Sequence, residues 1–212
     1  MRLGCSGCLA LLGSVVVVTI LIGGALWAAM GILEDPALGV VSTSQADWVS
    51  ARKKLQDIAR TGDAQPGSTY LTEREATALV SRELAEAGEL PFSAVSVRLP
   101  GNGLLEVSGR LPLRVVLTET PLARGAAWLP ASWLERSVWM RLRAHPRVER
   151  RGDRRYVRFD VDAFTLGRTW LPAFVPRLIL DPSTLRFLSM PIPSSVDDVT
   201  AESGRLVIRS GD

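Results

Sequence analysis

The sequence predicts an α+β protein: an N-terminal transmembrane helix, then helices packed on a long, mainly antiparallel β-sheet. Three observations point there. Residues 3–33 carry no charged side chain, whereas the rest of the chain is charged at an ordinary density. Between Ser44 and Gly88 the apolar residues recur at helical spacing. From Val95 onward the period falls to two, with glycine, asparagine and proline at the turns. Helices followed by antiparallel strands is the order of an α+β fold.

Residues 1–7 form a short tail, and residues 8–33 read CLALLGSVVVVTILIGGALWAAMGIL. As a helix this run is about 39 Å long, enough to cross a hydrocarbon core of about 30 Å. A cleaved signal peptide has an apolar core of only roughly 7 to 15 residues, so the run is read as an anchor that is retained. Arg2 precedes it, Glu34 and Asp35 follow it, and the next cation is Arg52. The N-terminus is therefore expected in the cytoplasm and the bulk of the chain outside, at the cytoplasmic membrane of a bacterium. Trp27 suits the interfacial aromatic belt. Gly24 and Ala28 are a small-xxx-small pair through which two such helices could approach as a homodimer. Cys5 and Cys8 are the only cysteines and lack a second pair or a nearby histidine, so no metal site is expected there.

Residues 34–43, with Pro36 and Gly39, read as a linker, and residues 44–212 as one extracytoplasmic domain, large enough to hold a core without disulfides. Ser44 is the expected N-cap of a helix reaching Arg60, with Trp48, Ala51, Leu55 and Ile58 on its apolar side. Residues 62–68 read as a loop. Thr72 and Glu75 then fit a capping box for a second helix, with Ala76, Leu79, Val80 and Leu84 as its stripe and Gly88 as its stop. Glu73, Glu75, Glu83 and Glu86 are read as its solvated face.

Val95, Val97 and Leu99 alternate up to the turn at Pro100-Gly101-Asn102-Gly103, and Leu105, Val107 and Gly109 return, which predicts a hairpin. Leu113, Val115 and Leu117 are expected to form a third strand. Residues 120–136 read as an irregular or partly helical crossover. A second, longer hairpin follows: Val138, Met140 and Leu142 lead to Arg150-Arg151-Gly152-Asp153, and Val157, Phe159 and Val161 return. Residues 170–180, broken by Pro172 and Pro176, read as a short packed helix. Val196 to Thr200 and Gly204 to Ile208 form a closing hairpin around Ser203-Gly204.

The chain is 212 residues long, 47% hydrophobic and 22% charged, with a net charge of +3, which excludes both a disordered chain and a many-span transporter. Catalytic constellations are thin. His145 is the sole histidine, so no multi-histidine metal site can form, and it reads as a strand-end residue beside Pro146. Asp160 and Asp162 look like a carboxylate pair, but Arg158 shares their face and Arg141 and Arg143 oppose it, so cross-strand ion pairs are expected. GNG at 101–103 lies between strands and is a hairpin turn, not a phosphate loop. No enzyme activity and no cofactor are expected.

The surface feature that stands out is basic. Nine arginines lie between Arg136 and Arg158 against Glu149 and Asp153, a local net of +7. Arginine forks suit phosphate, so Arg141, Arg143, Arg150, Arg151, Arg154 and Arg155 are candidate contacts for anionic headgroups. The competing reading is a sheet defended by solvated arginines, in a chain with 23 Arg and 2 Lys. Nucleic acid is not an expected partner, because the domain faces away from the cytoplasm. Trp128, Trp133 and Leu134 in the crossover are candidates for an apolar groove or for bilayer contact.

The stretches LTEREATALVSREL, AVSVRLPGNGLLEVSGRL, VRFDVDAFTLGRTWLPAFV and PIPSSVDDVTAESGRLVI resemble the YpmS-like family of bacterial single-pass, membrane-anchored proteins. Gly167 with Leu171-Pro172 matches that family's step after the long strand, and Pro191, Pro193 and Gly204 match its terminal element. The resemblance implies the order of elements and an envelope location but no activity. More remotely, a helix laid on a curved antiparallel sheet is similar to extracytoplasmic lipid-binding domains. The expected function is a non-enzymatic interaction or assembly module of the envelope, with other envelope proteins as partners. The alternative is a carrier of lipid or another apolar ligand.

Overall fold

The computed structural model describes residues 30–36, 39–61, 67–87, 92–118, 130–172 and 189–211. They form the expected α+β architecture, with strands paired antiparallel throughout. In chain order the elements are α1 (Gln45–Thr61), β1 (Gly67–Thr72), α2 (Glu73–Ala87), β2 (Ser93–Gly101), β3 (Leu104–Pro112) and α3 (Leu113–Thr118). There follow α4 (Ala131–Leu134), β4 (Ser137–Arg151), β5 (Arg154–Leu166), β6 (Thr169–Leu171), β7 (Ser189–Ile192), β8 (Val196–Glu202) and β9 (Arg205–Ser210). The expected span lies outside the described residues except for residues 30–33, which are helical. Among the described residues no helix is long and apolar enough to cross a membrane. Gly24, Ala28 and Trp27 also lie outside.

Both long helices start as their caps dictate. The Ser44 Oγ accepts the Asp47 N–H at 3.3 Å, while Asp47 takes the Ser44 N–H and hydroxyl at 2.8 and 2.7 Å. In α2 the Thr72 Oγ1 accepts the Glu75 N–H at 3.3 Å, and Glu75 accepts the Thr72 N–H at 2.9 Å. Glu75 is not solvated, as the sequence suggests, but 4% exposed, because α1 crosses it and brings Lys54 within 2.8 Å and Ser50 within 2.5 Å. Glu73 is also turned inward, accepting the Leu99 N–H at 2.7 Å.

The six-stranded sheet runs β2-β3-β4-β5-β6, with β7 on the same edge of β5 as β6. Its turns are set by residues that tolerate positive φ: Asn102-Gly103 (+57°, +74°) between β2 and β3, and Gly152 (+61°) at the tip of β4 and β5. The smaller sheet, β1-β9-β8, is clasped to the larger one turn to turn, with Gly103 N–H donating to Ala201 O at 3.0 Å and Gly204 N–H to Leu99 O at 2.8 Å. α2 closes the open edge of β2, where the Thr77 Oγ1 accepts the Val97 N–H at 2.9 Å and donates back to the Val97 carbonyl.

A bulge at Asp162 decides which side chains are inside. Arg143 pairs with Ala163 but Ala144 with Val161, so the alternation of β5 changes phase there. Before it Val157 and Phe159 face inward; after it Phe164 (0% exposed) and Leu166 do. Strict alternation would have put Phe164 on the outer face. Three apolar clusters result. One joins Ala51 and Ile58 of α1 to Leu71, Val199, Ile208 and Val157; the second joins Ala76 to Val97, Leu99, Leu105 and Ala201. The third, at the base of the sheet, holds Leu111, Leu113, Val138 and Leu166, with Ile32 and Leu33 packed against it.

Three local expectations are corrected. Leu113 to Thr118 is helical, not a third strand, because β4 occupies that side of β3, pairing Ser137 with Pro112. Leu113 and Leu117 satisfy i,i+4 spacing as well as alternation, and both reach the basal cluster. Trp170 lies in strand β6 instead of opening a helix, since Thr165 pairs with it; residues 173–188 fall outside the described residues. Gly67 and Ser68, read as the end of a loop, open the strand Gly67–Thr72, held by β9 in the register Gly67↔Ser210. The linker is bound too: Asp35 meets Arg110 at 3.2 Å, Arg98 donates to Gly39 O at 2.8 Å, and Val41 N–H donates to Ser96 Oγ at 3.3 Å.

Candidate functional site: an apolar groove and a charged sheet face

A groove of about 200 Å³ lies between α2 and the inner face of the six-stranded sheet. Leu105, Val107 and Gly109 of β3, Met140 and Leu142 of β4, and Phe159 and Phe164 of β5 form its floor. Leu79, Val80 and Leu84 of α2 form one wall, and Phe92, Val95 and Met190 complete the apolar lining. Glu83, exposed at the rim, is the one charged residue among the described lining. The α2 stripe overhangs the sheet here because Thr77 and Glu73 tie that helix to the edge of β2. Three of the four residues expected to bury in the core thus become a wall, and only Ala76 is fully buried. A Cβ at Gly109 would lie 3.0 Å from the Phe92 ring, so the glycine gives that ring its place.

The outer face of the same sheet is a ladder of charge. Glu106, 8% exposed, lies 3.4 Å from Arg141 and 2.9 Å from Arg143. Arg147 and Arg158 approach Asp160 at 3.3 and 3.2 Å, and Arg158 and Arg151 approach Glu149 at 3.0 and 3.1 Å. The Arg151 hydrogen bond, reinforced by Arg158, holds the Glu149 carboxyl below the usual carboxylate range. Arg155 turns to Asp197 and to the Val196 carbonyl at 2.8 Å. Six of the nine arginines are therefore paired with a carboxylate, several of which come from other strands. Arg136, Arg150 and Arg154 have no such partner among the described residues; Arg150 donates to Gly152 O at the turn. The cross-strand pairing expected for this hairpin is present, but Asp162 pairs with His145 instead of an arginine.

His145 lines a shallow cleft of about 370 Å³ with Arg147, Asp198 and Thr200. Its Nδ1 lies 2.8 Å from Gly103 O and its Nε2 lies 2.7 Å from Asp162 Oδ2. Both ring nitrogens are spent on ties between the β2–β3 turn and the β5 bulge. Thr200 donates to Asp198 at 2.8 Å and is not presented to the imidazole. Among the described residues no group of three or more His, Cys, Asp or Glu could hold a metal ion.

The residues singled out from sequence do not converge on the groove. Arg141 and Arg143 sit mid-sheet on the outer face, and Arg150, Arg151, Arg154 and Arg155 lie at the hairpin tip. Trp133 and Leu134, half-buried on α4, lie at the other end of β4 and do not line the groove; Trp128 is outside the described residues. The residues that line the groove are not singled out by the sequence, because its floor comes from three strands and its wall from a helix, each of which reads as ordinary core. Comparison with family models, curated proteins and solved structures yields no match.

Proposed function

We propose that this chain is a non-enzymatic, single-pass, membrane-anchored extracytoplasmic domain of the bacterial envelope that binds an acyl chain in the groove beside α2. The groove carries the reading. A cavity walled by Leu, Val, Phe and Met, with the Glu83 carboxylate at its rim and Ser108, whose hydroxyl donates to the Ser96 carbonyl, as the other polar side chain among the described lining, offers mainly apolar burial. Its volume of about 200 Å³ is below the roughly 300–1,000 Å³ of drug-sized sites, which suits a segment of one hydrocarbon chain better than a whole lipid. Met140 and Leu142 lie on the half of β4 nearer Val138 and the basal cluster.

Full-length protein in nanodiscs, given a diazirine-bearing palmitate and mapped by mass spectrometry, is expected to be labelled on peptides containing Leu84, Met140 or Met190. Met190→Trp, at an exposed rim position, should abolish that labelling. Labelling confined to residues 8–33 overturns the acyl-chain reading. A second reading, the envelope interaction module, is favoured by the hairpin tip, where Arg150 and Arg154 have no carboxylate partner among the described residues.

A further inference from the structure

Residues 30–34 are joined to the domain at the β5–β6 turn by several contacts. The Arg168 N–H donates to Gly31 O at 2.8 Å, and the Arg168 guanidinium meets Glu34 at 2.8 Å. Ile32 and Leu33 pack on the basal cluster. Gly167, at φ +59°, lies so close to the Gly31 and Ile32 carbonyls that any Cβ would collide with them. With Asp35 on Arg110 and Gly39 on Arg98, the chain is tied at successive points along the outer face. The point where the apolar segment reaches the domain is therefore fixed at the β5–β6 turn.

Beside this joint stands Trp170, 62% exposed, in the strand that follows Gly167 and Arg168. Met30, on the docked turn itself, is 59% exposed. An exposed indole is disfavoured in water but is the side chain favoured at headgroup depth, where its ring meets apolar matter and its N–H stays wet. The arginine-rich tip is at the opposite end: Trp139, whose carbonyl accepts the Gly167 N–H, and Arg151 lie about 40 Å apart along β4 at ~3.3 Å per residue.

We infer that the β5–β6 end is the membrane-resting face of the domain, with Trp170 seated in the phospholipid headgroup layer and the arginine tip held away from it. The occupant of this face is the bilayer that the apolar segment enters, and the argument for it is continuity: the last turn of that segment is seated here. The inference rests on residues 8–33 being a membrane span and is independent of any ligand in the groove.

A chain with Cys5 and Cys8 replaced by serine has no other thiol. In that background, Leu26→Cys, Trp170→Cys and Asp153→Cys are spin-labelled one at a time in phosphatidylcholine nanodiscs. Collision with oxygen and with a water-soluble nickel chelate reports depth. The oxygen-to-nickel ratio is expected to be highest at position 26, intermediate at 170, and several-fold lower at 153. Equal ratios at 170 and 153, with 26 still in the bilayer, overturn the inference alone. A water-like ratio at 26 overturns the span and the inference together. As a check that keeps the indole, quenching of the full chain by brominated lipid should fall on Trp170→Phe; unchanged quenching counts against the inference.

Discussion

At the residue scale, Glu75 shows how one side chain can serve several elements. It completes the α2 cap, accepts from Ser50 and Lys54 of α1, and is almost wholly buried. Burial alone would raise its carboxyl, but the hydrogen bonds from Lys54, Ser50 and the Thr72 backbone outweigh it and lower the group from 4.5 to about 2. A depressed carboxylate contributes stability above its unfolded value, and that contribution is lost as pH falls through the folded one. The wild-type protein should therefore lose on the order of 3 kcal/mol from this group between about pH 4.5 and pH 2. Urea titrations across that window should show Glu75→Gln less stable by on the order of 2 kcal/mol at neutral pH, with a flatter dependence below pH 4.5. The capping box was legible in the sequence because it is local. The burial of Glu75 was not, because Lys54 and Ser50 belong to another helix.

Elements were legible where turn chemistry and periodicity agreed. The Asn102-Gly103, Gly152 and Ser203-Gly204 turns and the strands around them follow from residues that accept positive φ between alternating apolar positions. Where a segment satisfied two periods, as Leu113 to Thr118 did, tertiary context chose the helix: β4 had already taken the place beside β3. The segment after the apolar run shows the same limit. Pro36 and Gly39 suggest a free linker, yet side chains from β2 and β3 bind it. Its weakest point is Gly167, where a Cβ would strike the Gly31 and Ile32 carbonyls and a positive φ adds roughly 1–2 kcal/mol of strain for any L side chain. Gly167→Ala is expected to speed hydrogen exchange of residues 30–41 while leaving β8 and β9 protected. Uniform loss of protection would instead show that the joint and the domain unfold together.

Across the whole molecule, the two ends of the domain's chain are joined in one sheet, since β1 and β8 both pair with β9. That central strand also sets Val207 and Ile208 into the core. Removing residues 205–212 should therefore abolish the cooperative thermal transition, not merely lower its midpoint, in contrast to truncations that stop at Gly211. The charge of the hairpin changes meaning at this scale as well. A net of +7 counted along residues 136–158 falls to +3 once the four carboxylates of Glu106, Asp160, Asp162 and Asp197 are brought beside it. Apart from those on the buried Glu106, these ion pairs are exposed enough to contribute little stability individually, and they keep the outer face solvated.

The sequence by itself determined what depends on neighbours within a few residues: the apolar run, the caps of α1 and α2, the turn positions, and the alternating strands of an α+β domain. The tertiary structure alone decided what depends on residues far apart. It paired Gly67–Thr72 with the C-terminal strand, shifted the phase of β5 at Asp162 so that Phe164 points inward, buried Glu75, neutralised most of the arginine hairpin, and left an apolar groove under the overhanging stripe of α2. The physical reason is that hydrophobic burial and ion pairing are non-local and reward whichever side chains the fold brings together. Backbone hydrogen bonds and φ preferences, by contrast, are satisfied within a turn or a cap and can be read along the chain.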